Sequence, residues 1–361
     1  MKVAIIFASD GSHCEDVVLA PFRSVSFATG LRNGGIEPVI ITVVSDDAAP
    51  APEPAAASLH CRRHELAALL ATERPQAIQT FGPELPLAAV WPIAALAGVP
   101  IAHCVSCWRA AGEAARPPQV SSLAASRAKR ASRHAAALLG TSRAAIGGLM
   151  AEGYFANAAF SIVVPPPVAR AADAANAPAG RATNPVFGIY DPCATPDLLD
   201  FVSRALELTG RRNALSVRIA VTTPLPAAPA PIAIVPAGSI EDFLATIDVL
   251  AVPAYDDAIA APLIAALRAG KSVIVPDPSG AAELIEYGRH GLMFHAGSAY
   301  HFANAVDIVG QSWSQRPVLL ADGGPAIART HPGAVAHSFA AVYDRIASPD
   351  QHAVPREPSH G

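Results

Sequence analysis

The chain has 361 residues, 52 % of them apolar, 6 % aromatic and 16 % charged, which is material for two or three domains and excludes a disordered tail. A net charge of −4 excludes the strongly basic balance of sequence-independent nucleic-acid binders, so no nucleic-acid partner is expected. Five cysteines, an odd number spread over a long chain, make no disulfide framework and fit a reducing compartment.

The first apolar run, Val3-Ala4-Ile5-Ile6-Phe7, carries one positive charge before it and meets Asp10 soon after. It is too short for a signal peptide and reads as the buried first strand of a cytoplasmic protein. Ser9-Asp10-Gly11-Ser12-His13 follows it and precedes a helix. Gly11 there lets a backbone approach a phosphate or an acceptor, with Asp10 or His13 as a polar contact, or else the segment is a tight turn.

Strand-length apolar runs alternate with alanine-rich helical stretches throughout, the pattern of parallel sheets covered on both faces. In the first half, strands are expected near 3–7, 38–44, 77–80, 100–105, 137–140 and 160–164, and helices near 19–33, 60–73, 87–97, 121–135 and 144–152. They form one doubly wound domain, 1–165. Residues 85–108 contain no Asp, Glu, Lys or Arg, and that length can span a bilayer. Pro86, Pro92, Gly98 and Pro100 instead divide it into a buried helix and a strand.

Between Glu113 and Glu152 there is no acidic residue, while Arg116, Arg127, Lys129, Arg130, Arg133 and Arg143 are basic. The helix over 121–135 therefore presents a solvated basic face, on which a lipid phosphate or an anionic membrane surface has a place to dock. Residues 166–185, rich in Pro, Ala, Asn and Gly, read as a linker. Beyond it, strands are expected near 186–190, 216–221, 232–235, 249–252 and 272–275, with helices near 196–209, 240–246 and 262–269. They define a second domain, 186–347, and a flexible tail, 348–361. The α/β class follows: two Rossmann-like, doubly wound domains facing across a cleft, with ligand loops at the carboxyl ends of the strands.

His60, Cys61, His64, His103, Cys104 and Cys107 supply zinc-type atoms, but no second cysteine pair stands at zinc-finger spacing, so no metal is assigned. Asp46-Asp47 and Asp256-Asp257 are adjacent acids, not a spaced metal-binding pair.

Residues 247–257 (Ile-Asp-Val-Leu-Ala-Val-Pro-Ala-Tyr-Asp-Asp), the run from Pro262 to Val275, then Gly280-Ala281-Ala282-Glu283-Leu284-Ile285 and Gly288-Arg289-His290-Gly291-Leu292-Met293-Phe294 resemble, in order and spacing, the donor-binding domain of retaining glycosyltransferases with the GT-B fold, the large bacterial family 4. Arg74-Pro75-Gln76-Ala77-Ile78, Ala97-Gly98-Val99-Pro100, Leu138-Leu139-Gly140-Thr141-Ser142 and Ile162-Val163-Val164-Pro165 agree more loosely in the first half.

The resemblance implies transfer of a sugar from a nucleotide-diphosphate sugar to a saccharide or lipid-linked acceptor, in envelope or exopolysaccharide assembly, with no divalent ion and no cofactor. It puts Asp257 opposite the sugar, the backbone of Ala260, Ala261 and Leu263 against the diphosphate, and Gly280 with Glu283 at the donor, Glu283 on a hydroxyl or as a helix cap. The family's His near the reacting sugar falls at about Ser106, three residues after His103, so His103 and Asp257 are the catalytic candidates, and Asp10, Gly11 and His13 form the acceptor-side loop. The family's ribose-binding Glu falls on Ala265, and its diphosphate-clamping Arg and Lys fall on Ile189 and Ala194. None of the three carries charge, which predicts a weakened donor site or, as the alternative, a catalytically silent glycosyltransferase-like protein that binds a sugar ligand or serves as a partner subunit.

Overall fold

Six of the seven residues of β1 (Lys2–Ala8) are buried, as a parallel strand covered on both faces requires. The computed structural model describes residues 1–8, 20–44, 58–82, 84–105, 122–168, 184–191, 194, 196–210, 215–222, 225–253, 261–285, 290–313 and 327–348. After β1 come α1 (Val25–Asn33), β2 (Glu37–Val44), β3 (Ser58–Arg62), α2 (Leu66–Glu73), β4 (Ala77–Phe81), α3 (Glu84–Ala95), β5 (Ile101–Val105), α4 (Ser122–Ser132), β6 (Ala135–Gly140), α5 (Arg143–Ala151) and β7 (Phe160–Val163). These strands pair in parallel in the order β3-β2-β1-β4-β5-β6-β7.

The second half builds β8 (Val186–Tyr190), α6 (Pro196–Leu208), β9 (Ser216–Val221), β10 (Ile232–Pro236), α7 (Ile240–Ala245), β11 (Val249–Ala251), α8 (Ala261–Arg268), β12 (Ser272–Asp277), β13 (Gly291–His295), α9 (Ala299–Ser312) and α10 (Pro332–Ala347). Its sheet is also parallel, in the order β10-β9-β8-β11-β12-β13. The two doubly wound sheets are the expected architecture.

Three local expectations need correction. Residues 58–62 form the edge strand β3, not the start of a helix at 60; only Cys61 of its five residues is buried, so an edge strand leaves no apolar run to read. Pro92 lies inside α3, where its ring denies Ala88 an amide partner without ending the helix. The third concerns α10, which the boundary at 347 assigns to the second domain. Its Val335, Ala336, Phe339, Val342, Tyr343 and Ile346 are buried in the first domain's core with Phe7, Phe22, Phe27 and Phe81. One face of the first sheet is covered by α2, α3, α4 and α5. Of the first-half helices, α1 packs on the other face, and α10 completes that cover because its apolar stripe needs an apolar surface.

The chain thus passes between the domains twice, and the two passages are tied by the Val168 amide donating to the Thr330 carbonyl at 2.9 Å. Arg268 Nη2 donates to Thr330 Oγ1 at 2.9 Å, fixing the return passage to the second domain. No described helix is long and apolar enough to cross a membrane.

Candidate functional site

In each sheet the strand order reverses beside its first strand, between β1 and β4 and between β8 and β11. A crevice opens at the carboxyl ends of such strands, where open α/β sheets bind ligands. At the first reversal Gly82, just past β4, has φ +123, and a Cβ there would stand 2.5 Å from the Ala8 carbonyl oxygen. Only glycine fits this approach. Segment 9–19, with Asp10, Gly11 and His13, leaves from β1 at that point. Segment 254–260, with Asp257 and Ala260, leaves from β11 at the second reversal and delivers the chain to α8. Both segments lie outside the described residues, and their anchors are the two reversals.

Ala261 opens α8, followed by Pro262, whose missing amide costs nothing in a first turn. Leu263 is 0 % exposed, so it belongs to the core of this domain. Ala265 is buried in the same apolar cluster, while Ile189 and Ala194 are buried in the other cluster of this domain. The positions matched to charged family residues are therefore core positions. Neither Arg268 nor Lys271 supplies the missing cation to α8's amino end. Arg268 closes the helix about 10 Å from Ala261 and is bound to Thr330. Lys271 Nζ donates to the Ile247 carbonyl at 2.9 Å.

Gly280 is buried and precedes a single 3-10 turn, Ala281–Leu284. Ala281, Leu284 and Ile285 of this segment pack into the second domain's core at 4, 6 and 7 % exposure. That packing leaves Glu283 directed outward, and its carboxylate crosses to the other domain. Glu283 Oε2 accepts from the Arg143 amide at 3.0 Å and Oε1 from the Ala144 amide at 2.9 Å. The third amide of α5, from Ala145, donates to Ser142 Oγ at 2.9 Å. Glu283 is thus a helix cap, one of its two expected roles, but the helix is 140 residues away and in the other domain. Sequence reasoning missed Arg143 and Ala144; the available signal was Ser142, a capping residue directly after a strand.

His103 is not presented to the cleft. It is 0 % exposed, stacked on Phe155 with centroids 4.9 Å apart and edge-on to Trp91 at 5.3 Å. Its Nδ1 lies 3.0 Å from Thr80 Oγ1, and burial lowers its pKa to about 3. A side chain so enclosed is a neutral core group that meets no acceptor.

Arg127, Arg130 and Arg133 are exposed along and just beyond α4, while Lys129 Nζ lies 5.4 Å from the centre of the Tyr154 ring. Arg116 and Cys107 lie outside the described residues. Cys61 and Cys104 stand on β3 and β5, four strands apart and thus about 19 Å, too far to share a metal. Burial pushes the Cys61 thiol up to about 11 and raises that of Cys104 further, so both remain protonated.

No protein-family model and no curated protein matches the sequence. Solved structures do match in fold. An Anabaena protein, Alr3699/HepE, in complex with UDP and glucose has a TM-score of 0.69 at 14 % identity, covering 94 % of this chain and 99 % of that one. Sucrose-phosphate synthase from Thermosynechococcus elongatus gives 0.70 at 13 %, covering 96 % and 99 %. The lipopolysaccharide outer core galactosyltransferase WaaB, in apo form, gives 0.65 at 14 %, covering 95 % and 100 %. The chain has the GT-B fold of these proteins over nearly its whole length.

Proposed function

We propose that this protein is a glycosyltransferase that moves a sugar from a nucleotide-diphosphate sugar to a saccharide or lipid-linked acceptor held against the first domain. The observation that carries the reading is the amino end of α8 beside the strand-order reversal of the second sheet. The first-turn amides, which have no partner within the helix, and the helix dipole favour a diphosphate there. The GT-B fold shared with a protein in complex with UDP and glucose supports the same donor class.

In this reading the backbone of Ala260, Ala261 and Leu263 cradles the diphosphate, with Gly280 nearby, and Asp257 faces the sugar. The loop of Asp10, Gly11 and His13 receives the acceptor. Retention of anomeric configuration, a family 4 kinship and work in envelope or exopolysaccharide assembly are carried by the resemblance of the 247–294 motifs. A cytoplasmic location, and docking of the Arg127, Arg130 and Arg133 stripe on anionic lipid, complete it. No metal or other cofactor is assigned a role.

Burial of Ile189, Ala194 and Ala265, which puts no charge at the positions matched to the family's ribose and diphosphate contacts, leaves a second reading, a catalytically silent glycosyltransferase-like protein that binds a sugar ligand or serves as a partner subunit. Calorimetry of the full chain against UDP-, GDP- and ADP-sugars, followed by an assay for nucleotide release, separates the two. The transferase binds one donor saturably and releases its nucleotide, and Asp257→Asn lowers release more than binding. Saturable binding without release, even with acceptors offered, or failure of every donor to bind overturns the transferase and selects the silent relative.

A further inference from the structure

We infer that Glu283 is an interdomain latch, a positioning residue whose carboxylate holds the two domains closed by capping α5 across the cleft. Four observations carry this. The carboxylate is bidentate, one oxygen to each of the Arg143 and Ala144 amides. Those two amides are the ones α5 leaves open, because Ser142 takes the third from within the first domain. The latch has a rigid base: Ala281, Leu284 and Ile285 are buried around it, and Ser279 Oγ accepts the Ala282 amide at 3.3 Å. Finally, the domains are also joined where the chain passes between them, at Val168 and Thr330, which supplies the hinge that a latch requires.

Glu283 is exposed, so the contact is a charge held by a helix dipole in the presence of water. Such contacts are modest, which suits a reversible catch better than a permanent joint. The inference concerns the free protein and stands whether or not the cleft takes a nucleotide sugar, so failure of the donor titrations leaves it untouched. Where the donor reading holds, the latch sets the fraction of molecules whose two ligand loops face each other.

The test uses the full chain without ligand and reads two quantities, the radius of gyration from small-angle X-ray scattering and amide exchange at Arg143, Ala144 and Ala145. Glu283→Ala is expected to raise the radius and to speed exchange at Ala144 about fivefold. Ala145, bonded to Ser142, keeps its protection and reports that α5 is intact. Glu283→Gln, close in size but uncharged and with one acceptor oxygen, falls between, and is the variant to read should the alanine form fail to fold.

Arg143→Pro removes one latch donor from the other side. The first helical position tolerates proline, and Ser142 before it is already extended at φ −147 and ψ 165, as a following proline demands. Compared with Arg143→Ala, it opens the wild-type molecule and adds nothing to Glu283→Ala. Unchanged radius and unchanged Ala144 exchange in both Glu283 variants overturn the latch, as does full additivity of Arg143→Pro with Glu283→Ala.

Discussion

The Thr80 hydroxyl has one proton to give and three polar neighbours: Trp91 Nε1 at 3.1 Å, His103 Nδ1 at 3.0 Å and the Ala102 carbonyl at 3.3 Å. Trp91 can only donate. When Thr80 donates to Ala102, His103 donates from Nδ1 and all three contacts are satisfied. Nε2, which has no partner, then buries a bare lone pair and not an N–H. Protonating that ring would bury an unpaired charge, which is why its pKa falls to about 3. The unfolded chain takes up this proton below about pH 6.5, whereas the folded one refuses it until about 3. Between those values the unfolded state binds more protons, so this contribution to stability is intact above pH 6.5 and is lost as pH falls toward 3. His103→Phe keeps a ring between Trp91 and Phe155 and forfeits the Thr80 bond, about 1 kcal/mol at pH 7. Urea unfolding at pH 7, 5.5 and 4 should show the wild type losing more stability than the variant over that range, by roughly 2 to 3 kcal/mol at pH 4. Equal losses would refute the assignment. Nothing local to residues 100–105 distinguishes this core histidine from one at a strand's functional end, because the distinction lies in Trp91 and Phe155, which arrive from α3 and from beyond α5.

Gly30 stands midway along α1, where a glycine ordinarily costs a helix about 1 kcal/mol against alanine. The structure supplies its reason: a Cβ at Gly30 would lie 2.9 Å from Ala336 Cβ and 3.2 Å from the Pro332 carbonyl oxygen, so α1 and α10 touch backbone to backbone. Gly30→Val should destabilise by about 1 to 3 kcal/mol through overpacking. In the wild type Ala336→Gly costs about 1 kcal/mol, but in the Gly30→Val background it should cost less, or even restore stability, since it vacates the contested space. A denaturation double-mutant cycle reads the coupling, and strict additivity would show that the helices are not in contact there. Element by element, the sequence discloses those strands whose two faces are both buried, such as β1, β4 and β5. It conceals β3, whose Ser58, Leu59, His60 and Arg62 face outward in whole or part. No helix is expected from the sequence at 332–347, and where the apolar stripe of α10 docks is not local to it, because its neighbour in sequence is α9 and the surface it covers is on the first domain. Glu283 is concealed for the same reason: its role as a cap is visible in its chemistry, and its partner is 140 residues distant.

At the scale of the molecule, the two sheets are not two separable halves. The first sheet's aromatic face is sealed by a helix that arrives after the entire second domain: Phe339 lies 5.3 Å from Phe27 and 5.8 Å from Phe81 between ring centroids, and Arg345 sits 4.0 Å over the Phe160 ring. Burying Val335, Phe339, Val342, Tyr343 and Ile346 is worth on the order of 10 kcal/mol. That is comparable with the whole stability of a typical domain. A fragment of residues 1–168 should therefore expose Phe22, Phe27 and Phe81, bind a hydrophobic dye and unfold without a sharp transition. Appending residues 327–348 through a flexible linker should restore a cooperative transition and abolish dye binding, since the α10 surface is then present at high effective concentration. A cooperative, dye-silent 1–168 would mean that the first sheet closes its own core and that α10 rides on a finished surface. The linker-joined form also lacks Glu283, so a restored transition there assigns stability to α10 and leaves the latch to govern only the angle between the domains.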